Sequence, residues 1–345
     1  MNALVLTDYL HLQLQHVPTP EPGPDEVLIR IAACGICGSD VHGFDGSSGR
    51  RIPPIIMGHE GAGTIAGTGS AVTGWKIGDR VTFDSTLYCG KCDFCRRGEV
   101  NLCDSRQVIG VSCADYRRNG AFAEYVIVPA RVLYRLPPEL PFTEAAMIEA
   151  VSVALHAVTL SGFSAGQTAL VIGAGMIGTL IVQALRIAGA SHILAADLDP
   201  TRLEEAARSG AHTTIHPTGG THTATKTLTL YPGGVDHVFE AVGGAPTVKQ
   251  AISSVRKGGV VTLVGNIARH VEIPLQTIVT RQIRLQGSAA SSGEYPRAIQ
   301  LLASKQIDVR PLISAVEPLS KGAEAFQRLH SREPNLIKII LTPDV

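Results

Sequence analysis

A surplus of charge of either sign is missing from this chain. Its 345 residues hold 30 lysines and arginines against 30 aspartates and glutamates, and charged residues make up only 17%. Nucleic acids and anionic membranes demand a basic surface, so neither is expected as the main partner. The opening MNALVLTDYLHLQLQHVPTP has no basic n-region and no long apolar stretch, so it is not expected to act as a signal peptide. No apolar run reaches the length expected of a membrane span, and neither repeats nor low-complexity segments are present. The expected setting is the cytoplasm, and the expected partner is a small molecule. The seven cysteines do not make an even disulfide set. Four of them crowd together at short intervals, which in a reducing compartment points to metal.

What is present suggests two domains. Residues 1–150 are rich in Val, Ile, Gly and Pro and fall into short strand-like runs at 27–32, 62–68, 80–83 and 123–128. They predict an antiparallel, barrel-like domain with long functional loops. The texture changes near residue 142, where 142–161 has apolar residues at helical spacing and reads as one or two helices. Strands at 168–172, 192–196, 235–240 and 260–264 then alternate with helices at 177–188, 201–209 and 247–255. That rhythm predicts a doubly wound parallel sheet, an α/β fold of the Rossmann type. A further helix (295–304) and late strands (312–316, 336–341) could return to the first domain, and the polar 218–229 region reads as a loop or short helix.

Two stretches match the G-x-G-x-x-G/A pattern of a pyrophosphate loop. Gly173, Gly175 and Gly178 follow the apolar strand TALVI and open, through Met176 and Ile177, into TLIVQALRIAG. Glycines allow close backbone approach there, and the helix N-terminus supplies free N–H groups and positive dipole. The next strand, HILAA, ends in Asp197, a carboxylate suited to the adenosine ribose hydroxyls and hostile to a 2′-phosphate. NAD is therefore expected over NADP. Arg202, five residues on, could contact the adenosine end or lie in solvent.

The other match, inside GHEGAGTIAGTG at 58–69, is followed by strand-like sequence and not by a helix. It reads instead as a metal hairpin: His59 and Glu60 face a metal, and the glycines let the backbone turn tightly beneath them.

Cys89, Cys92, Cys95 and Cys103, spaced x2, x2, x7, offer four thiolates in a polar lobe (88–104) that could not pack a core. Closed four-thiolate coordination marks structural zinc, with an iron–sulfur cluster as the competing reading. Cys37 lies in CGICGSDVH, a Gly-rich turn that also carries Ser39, Asp40 and His42. With His59, Glu60 and the distant Glu149 it supplies the ligand types of catalytic zinc, which keeps one position open. No local motif proves the set; His59 alone could be a core histidine and Glu149 a helix-surface acid.

CGICGSDVH, GHEGAGTIAGTGSAV, the four-cysteine lobe, NGAFAEYVIV, IEAVSVALHA and VIGAGMIG occur in the order found in zinc-dependent medium-chain dehydrogenases. The resemblance covers essentially the whole chain and is greatest to polyol (sorbitol-type) dehydrogenases. It implies a GroES-like catalytic domain from 1–151 and 290–345, a Rossmann NAD domain from 152–289, and an active site in the cleft. It implies that Cys37 and His59 bind catalytic zinc, that Glu60 and Glu149 share the remaining positions, and that a second zinc is structural. Ala150 and Val151 replace the Pro and Leu usual after that glutamate. By the same resemblance Ser39 hydrogen-bonds the substrate oxygen and His42 accepts the proton near the surface. Asp40 orients its neighbours and Cys34 is a buried thiol. Val242 and Val264 join the cofactor contacts, Phe44 and Phe122 become pocket walls or core, and the protein is a homo-oligomer, dimer or tetramer.

Together these imply hydride transfer between a secondary alcohol and NAD. Sorbitol-type members carry an arginine after the last Rossmann strand, whereas 287–295 here reads GSAASSGEY. That departure leaves open another polyol, a sugar acid, or the substrates of threonine and butanediol dehydrogenases. A non-catalytic protein on the same scaffold would have no need of an open metal site.

Overall fold

The computed structural model describes residues 1–217 and 222–344. The chain divides into two compact units. One comprises Met1–Glu149, Tyr295–Lys305 and the segment from Val309 onward; the other comprises Ala150–Glu294 with Gln306–Asp308.

The first unit is built on a seven-stranded sheet. Its path runs Leu133–Arg135, Arg80–Phe83, Glu60–Thr68, Glu26–Gly35, Lys338–Thr342 and Ile313–Pro318, and Tyr125–Pro129 also pairs with Glu26–Gly35. All pairings are antiparallel except Ile313–Pro318 with Lys338–Thr342. Alternation explains the strands: Val27, Ile29 and Ile31 are buried at period two and meet Ile65, Val81 and Val128 in the core. Phe326, on the helix Gly322–His330, has its ring centroid 5.5 Å from Phe44 and 5.6 Å from Phe122. All three are fully buried, so Phe44 and Phe122 are core and not pocket walls.

Three expectations need correction here. The supposed turn in CGICGSDVH is the helix Gly38–Phe44, capped at Cys37. Its flanking glycines hide the signal, which is Asp40 at the third helical position accepting from the Cys37 N–H at 3.2 Å. Nor does GHEGAG turn tightly beneath its histidine. It is a strand from Glu60, and the turn precedes it at Gly58 with φ +95°. Gly61 and Gly63 serve close packing instead, since a Cβ would collide with the Phe83 ring at Gly61 and with the Arg30 carbonyl at Gly63. Thirdly, Phe142–Ser161 is long and apolar enough by length and composition to cross a membrane. It comprises two helices, Phe142–Ala145 and Ile148–Ser161; Met147 in the turn between them and Val151, Ala154 and Ala157 of the second are fully buried.

The second unit is a six-stranded, all-parallel sheet. Its order is Thr213–Ile215, His192–Ala196, Thr168–Ile172, Val235–Glu240, Val255–Leu263 and Arg284–Gly287. This is the doubly wound arrangement, first strand central and order reversing beside it, that the βαβ rhythm predicts. In the helix Met176–Ile187 every residue from Gly178 to Leu185 is buried. Within the polar 218–229 region a helix spans Thr223–Leu230, while 218–221 lie outside the described residues.

Candidate active site

Cys37 caps the helix Gly38–Phe44, and His59 and Glu60 enter the strand Glu60–Thr68. One sulfur, one imidazole nitrogen and one carboxylate oxygen from these residues lie within 4.8 Å of one another. His59 and Glu60 are buried. Glu60 Oε1 is buried without a hydrogen-bond partner among the described residues, an orphan that a cation would satisfy. A thiolate, an imidazole and a carboxylate match the donor chemistry of catalytic zinc, which takes three protein ligands.

His59 Nδ1 stands 3.3 Å from Asp40 Oδ1, within ion-pair range but off the line of a well-aligned hydrogen bond. With Nδ1 turned to Asp40, Nε2 is the nitrogen left for a metal. Asp40 is fully buried and also receives Arg51 Nη2 at 3.0 Å. Burial works against its ionisation, but His59 and Arg51 outweigh burial and hold the carboxyl well below the usual range. For His59, burial favours the neutral ring, and Asp40 and Cys37 overcome it and push the pKa well up.

Glu60 Oε2 forms a buried ion pair with Lys338. The geometry rests on Gly35, which lies opposite Glu60 in one ladder and opposite Ile340 in the next. A Cβ at Gly35 would collide with Glu60 Oε2 and stand 2.8 Å from Lys338 Cε. Burial alone would lower the lysine pKa, but Glu60 and Cys37 raise it. Glu149 is half-buried in the first turn of Ile148–Ser161. Burial, with Glu60 and Asp84 nearby, pushes its carboxyl up to about 7, against the opposing pull of His59 and Lys338. It is close enough to feel these charges, yet the tight donor cluster contains Glu60 and not Glu149. Cys34 is buried, as expected of a thiol with no ligand role.

Ser39 is exposed in the first turn of its helix, and His42, half-buried on the same helix, has Nδ1 3.4 Å from Ser47 Oγ. Lys338 and Arg51 were not apparent from sequence. The available signal for Lys338 is a lone charge inside the apolar run NLIKIIL. For Arg51 there is none: Asp40 reads as an acid that orients its neighbours, but nothing in the sequence says which cation it pairs with.

The four lobe cysteines offer sulfurs within 4.8 Å of one another, with Cys92 and Cys95 Sγ 3.5 Å apart. Backbone N–H groups of Lys91 and Cys92 donate to Cys89 Sγ at 3.5 and 3.4 Å, and this pulls its thiol down to about 6. N–H donation from Cys95 and Asp104 likewise lowers Cys92. Cys95 moves the other way, pushed up to about 12 by burial and by its contact with Cys92. Four gathered sulfurs, two of them favoured as thiolates by backbone N–H groups, fit a closed zinc site.

In the second unit the cofactor candidates gather at the carboxyl ends of parallel strands. Gly173 has φ +93°, Gly175 caps the helix that Met176 and Ile177 begin, and a Cβ at Gly178 would collide with the Gly173 carbonyl oxygen. At Gly175 a Cβ would meet only Arg202 Nη1, at 3.9 Å. Asp197 Oδ2 accepts from the Ala174 N–H at 2.7 Å and Oδ1 from the Asp199 N–H at 2.9 Å, so this carboxylate also props the loop. Arg202 Nε is 3.7 Å from Asp199. Val242 packs against Gly173, and the N–H groups of Val242 and Val264 donate to Glu240, at Oε1 (3.0 Å) and the carbonyl oxygen (2.9 Å) respectively.

Comparison with known proteins agrees with both halves. The family model for the alcohol dehydrogenase GroES-like domain matches residues 23–138, and that for zinc-binding dehydrogenases matches residues 176–304. Sorbitol dehydrogenase of Bacillus subtilis (strain 168) is 34% identical over 350 residues, covering 100% of this chain and 98% of its own. A zinc-binding dehydrogenase of Sinorhizobium meliloti 1021, solved with NADP bound, is 34% identical with a TM-score of 0.89 over 99% of both chains. The 2R,3R-butanediol dehydrogenase of Bacillus subtilis is 29% identical, also with a TM-score of 0.89 over 99% of both. The thiolate–imidazole–carboxylate cluster, the glycine loop on a parallel sheet and these full-length likenesses agree: this chain belongs to the zinc-dependent medium-chain dehydrogenases, among their polyol dehydrogenase-like members, and is an alcohol or polyol dehydrogenase.

Proposed function

We propose that this protein interconverts a secondary alcohol and its ketone by hydride transfer to and from NAD, with a polyol, sugar alcohol or sugar derivative as substrate. The observation that carries the reading is the convergence of Cys37, His59 and Glu60 close in sequence to the exposed Ser39. When bound, a zinc held by these three, with Glu149 as a further carboxylate, supplies Lewis acidity to the substrate oxygen while the nicotinamide accepts the hydride.

The remaining work falls to side chains. Ser39 Oγ accepts the hydroxyl proton as the C–H bond breaks and releases its own proton towards His42. His42 Nδ1, 3.4 Å from Ser47 Oγ, passes it to solvent. Asp40 holds the His59 ring in orientation, and Lys338 holds one oxygen of Glu60 so that the other is free. Cys89, Cys92, Cys95 and Cys103 hold a second, structural zinc, giving two per chain.

Gly173, Gly175, Met176, Ile177 and Gly178 take the pyrophosphate, Val242 and Val264 line the site, and Asp197 takes the ribose hydroxyls with Arg202 at the adenosine end. The Asp197 carboxylate favours NAD over NADP because it would repel a 2′-phosphate. Seven unpaired cysteines suit a reducing cytoplasm. The open edge strand Arg284–Gly287, with Leu275 and Val279 exposed in the helix before it, supports a homo-oligomer.

The small residues of 287–295 favour a second reading on the same chemistry, a butanediol or threonine dehydrogenase. A screen for NADH formation across polyols, sugar phosphates, aldonic acids, threonine, diols and simple alcohols separates the two. Parent-level turnover in Cys37→Ala or His59→Ala would sink the metal assignment. Equal use of NADP by the parent would sink the assignment of Asp197.

A further inference from the structure

One buried charge has no part in the chemistry above. Arg51 is 4% exposed, and its guanidinium reaches back to the first turn of the helix Gly38–Phe44. Nη2 lies 3.0 Å from Asp40 Oδ1 and 3.5 Å from Ser39 Oγ, while Nη1 donates to the Arg50 carbonyl at 3.1 Å. Nε is buried with no partner among the described residues. The aliphatic stem crosses Gly43 of that helix, where a Cβ would collide with Arg51 Cγ and stand 2.8 Å from its Cβ. The main chain behind it is pinned: the Ser112 N–H donates to Arg50 O at 3.2 Å and the Ile52 N–H to Ser112 O at 3.1 Å. A glycine that makes room and a backbone that is anchored together fix one arginine geometry.

We propose that Arg51 is a positioning residue that acts through Ser39. The inference rests on the role of Ser39 in the reading above. A serine hydroxyl has one donor and two acceptor sites. An arginine N–H aimed at Ser39 Oγ occupies one acceptor site, which leaves the other for the substrate proton and turns the serine O–H away. The proton balance then closes, because Ser39 gains the substrate proton on the free lone pair and loses its own along the O–H. The same guanidinium pairs with Asp40 Oδ1, but Asp40 Oδ2 is held separately by the Cys37 N–H, so the donor cluster keeps an anchor of its own when Arg51 is replaced. Nη2 carries two N–H bonds, one for Asp40 Oδ1 and one for Ser39 Oγ, and the Nη1 bond to the Arg50 carbonyl fixes the plane in which they point; a lysine ammonium has no such third anchor.

The test is a double-mutant cycle on Ser39→Ala and Arg51→Met, read in kcat, with zinc content, thermal midpoint and NAD affinity measured on each protein. Arg51→Met is expected to keep its zinc and NAD affinity and to lose kcat by about ten- to a hundred-fold with little change in KM for the alcohol. In the double variant the loss is expected to be no greater than in Ser39→Ala alone. Losses that multiply, or an Arg51→Met protein that is folded, metal-loaded and as fast as the parent, overturn the proposal. Should Arg51→Met fail to fold because Asp40 is left unpaired, Arg51→Lys keeps the charge and serves in the same cycle. Cys37→Ala, run alongside, separates the two failures. If it retains turnover the metal reading falls; if it is inactive and the cycle is additive, only the role of Arg51 falls.

Discussion

Lys338 and Glu60, 278 residues apart in sequence, form a buried ion pair across the bare backbone of Gly35. Both side chains are at most 1% exposed, so neither charge has water to fall back on. Removing one partner of such a pair leaves the other charge stranded, at about 3–5 kcal/mol. Lys338→Met should therefore destabilise the protein by about that amount in urea unfolding. Adding Glu60→Gln should recover much of the loss. A Lys338→Met protein within about 1 kcal/mol of the parent would mean that the pair is not buried as described.

The two inner glycines of the nucleotide loop should respond differently to the same methyl group. At Gly178 a Cβ collides with the Gly173 carbonyl, so Gly178→Ala should lower the thermal midpoint even without cofactor. At Gly175 the φ is −70° and the space is open apart from Arg202 Nη1 at 3.9 Å. Gly175→Ala should keep the parent midpoint and weaken NAD by about ten-fold or more, because the methyl occupies the path of the pyrophosphate. Unchanged NAD affinity in Gly175→Ala would remove the phosphate from this loop.

That contrast bears on what the sequence could reveal. The strands at 168–172 and 192–196 coincide with the observed ones because TALVI and HILAA are largely apolar runs bounded by turn residues, and 235–240 coincides around Val235, Val238 and Phe239. The order of glycines, helix and acid in 173–197 is equally local. By contrast, Gly35, Glu60 and Lys338 meet only through adjacent ladders of one sheet, and no spacing along the chain encodes that. The helix Gly38–Phe44 was hidden because it is short and flanked by glycines, and its stabilising contact is a carboxylate capping a backbone N–H rather than an apolar stripe. His59 and Glu60 were legible as ligand types, but that Glu60 and not Glu149 joins the cluster depends on three-dimensional placement.

The lobe and the Cys37 cluster should lose metal independently. The lobe sulfurs belong to one short segment, with a helical turn at Asp93–Arg96 and little buried side-chain area beyond Asn101 and Cys103. Metal would substitute for the missing core. Purified protein is expected to carry about two zincs per chain, Cys89→Ser about one with the Cys37 site still loaded, and Cys37→Ser about one with the lobe intact. Because the lobe lacks its own core, Cys89→Ser should also increase proteolysis between residues 88 and 104. Full retention of both metals in Cys89→Ser would refute the four-thiolate assignment.

Acid stability should report on His237. The ring is 4% exposed at the start of a central parallel strand, 5.2 Å from the Phe163 ring centroid, with Nε2 3.0 Å from Gln167 Oε1. Nδ1 is buried without a partner among the described residues, so the folded protein holds the neutral tautomer with its proton on Nε2. Burial, reinforced by Arg284 and Arg256 against Asp236, lowers its pKa to about 4. The unfolded chain takes up this proton near pH 6.5 and the folded chain does not, so stability is lost as pH falls from about 6.5 to about 4 and levels off below that. The full contribution is about 3 kcal/mol. His237→Gln keeps a donor for Gln167 and cannot titrate. Its stability, measured by urea unfolding at several pH values, should fall less than that of the parent over this window by that amount. Every other titrating group affects both proteins alike, so the difference isolates the histidine. Parallel curves for the two proteins would show that His237 protonates freely in the folded state.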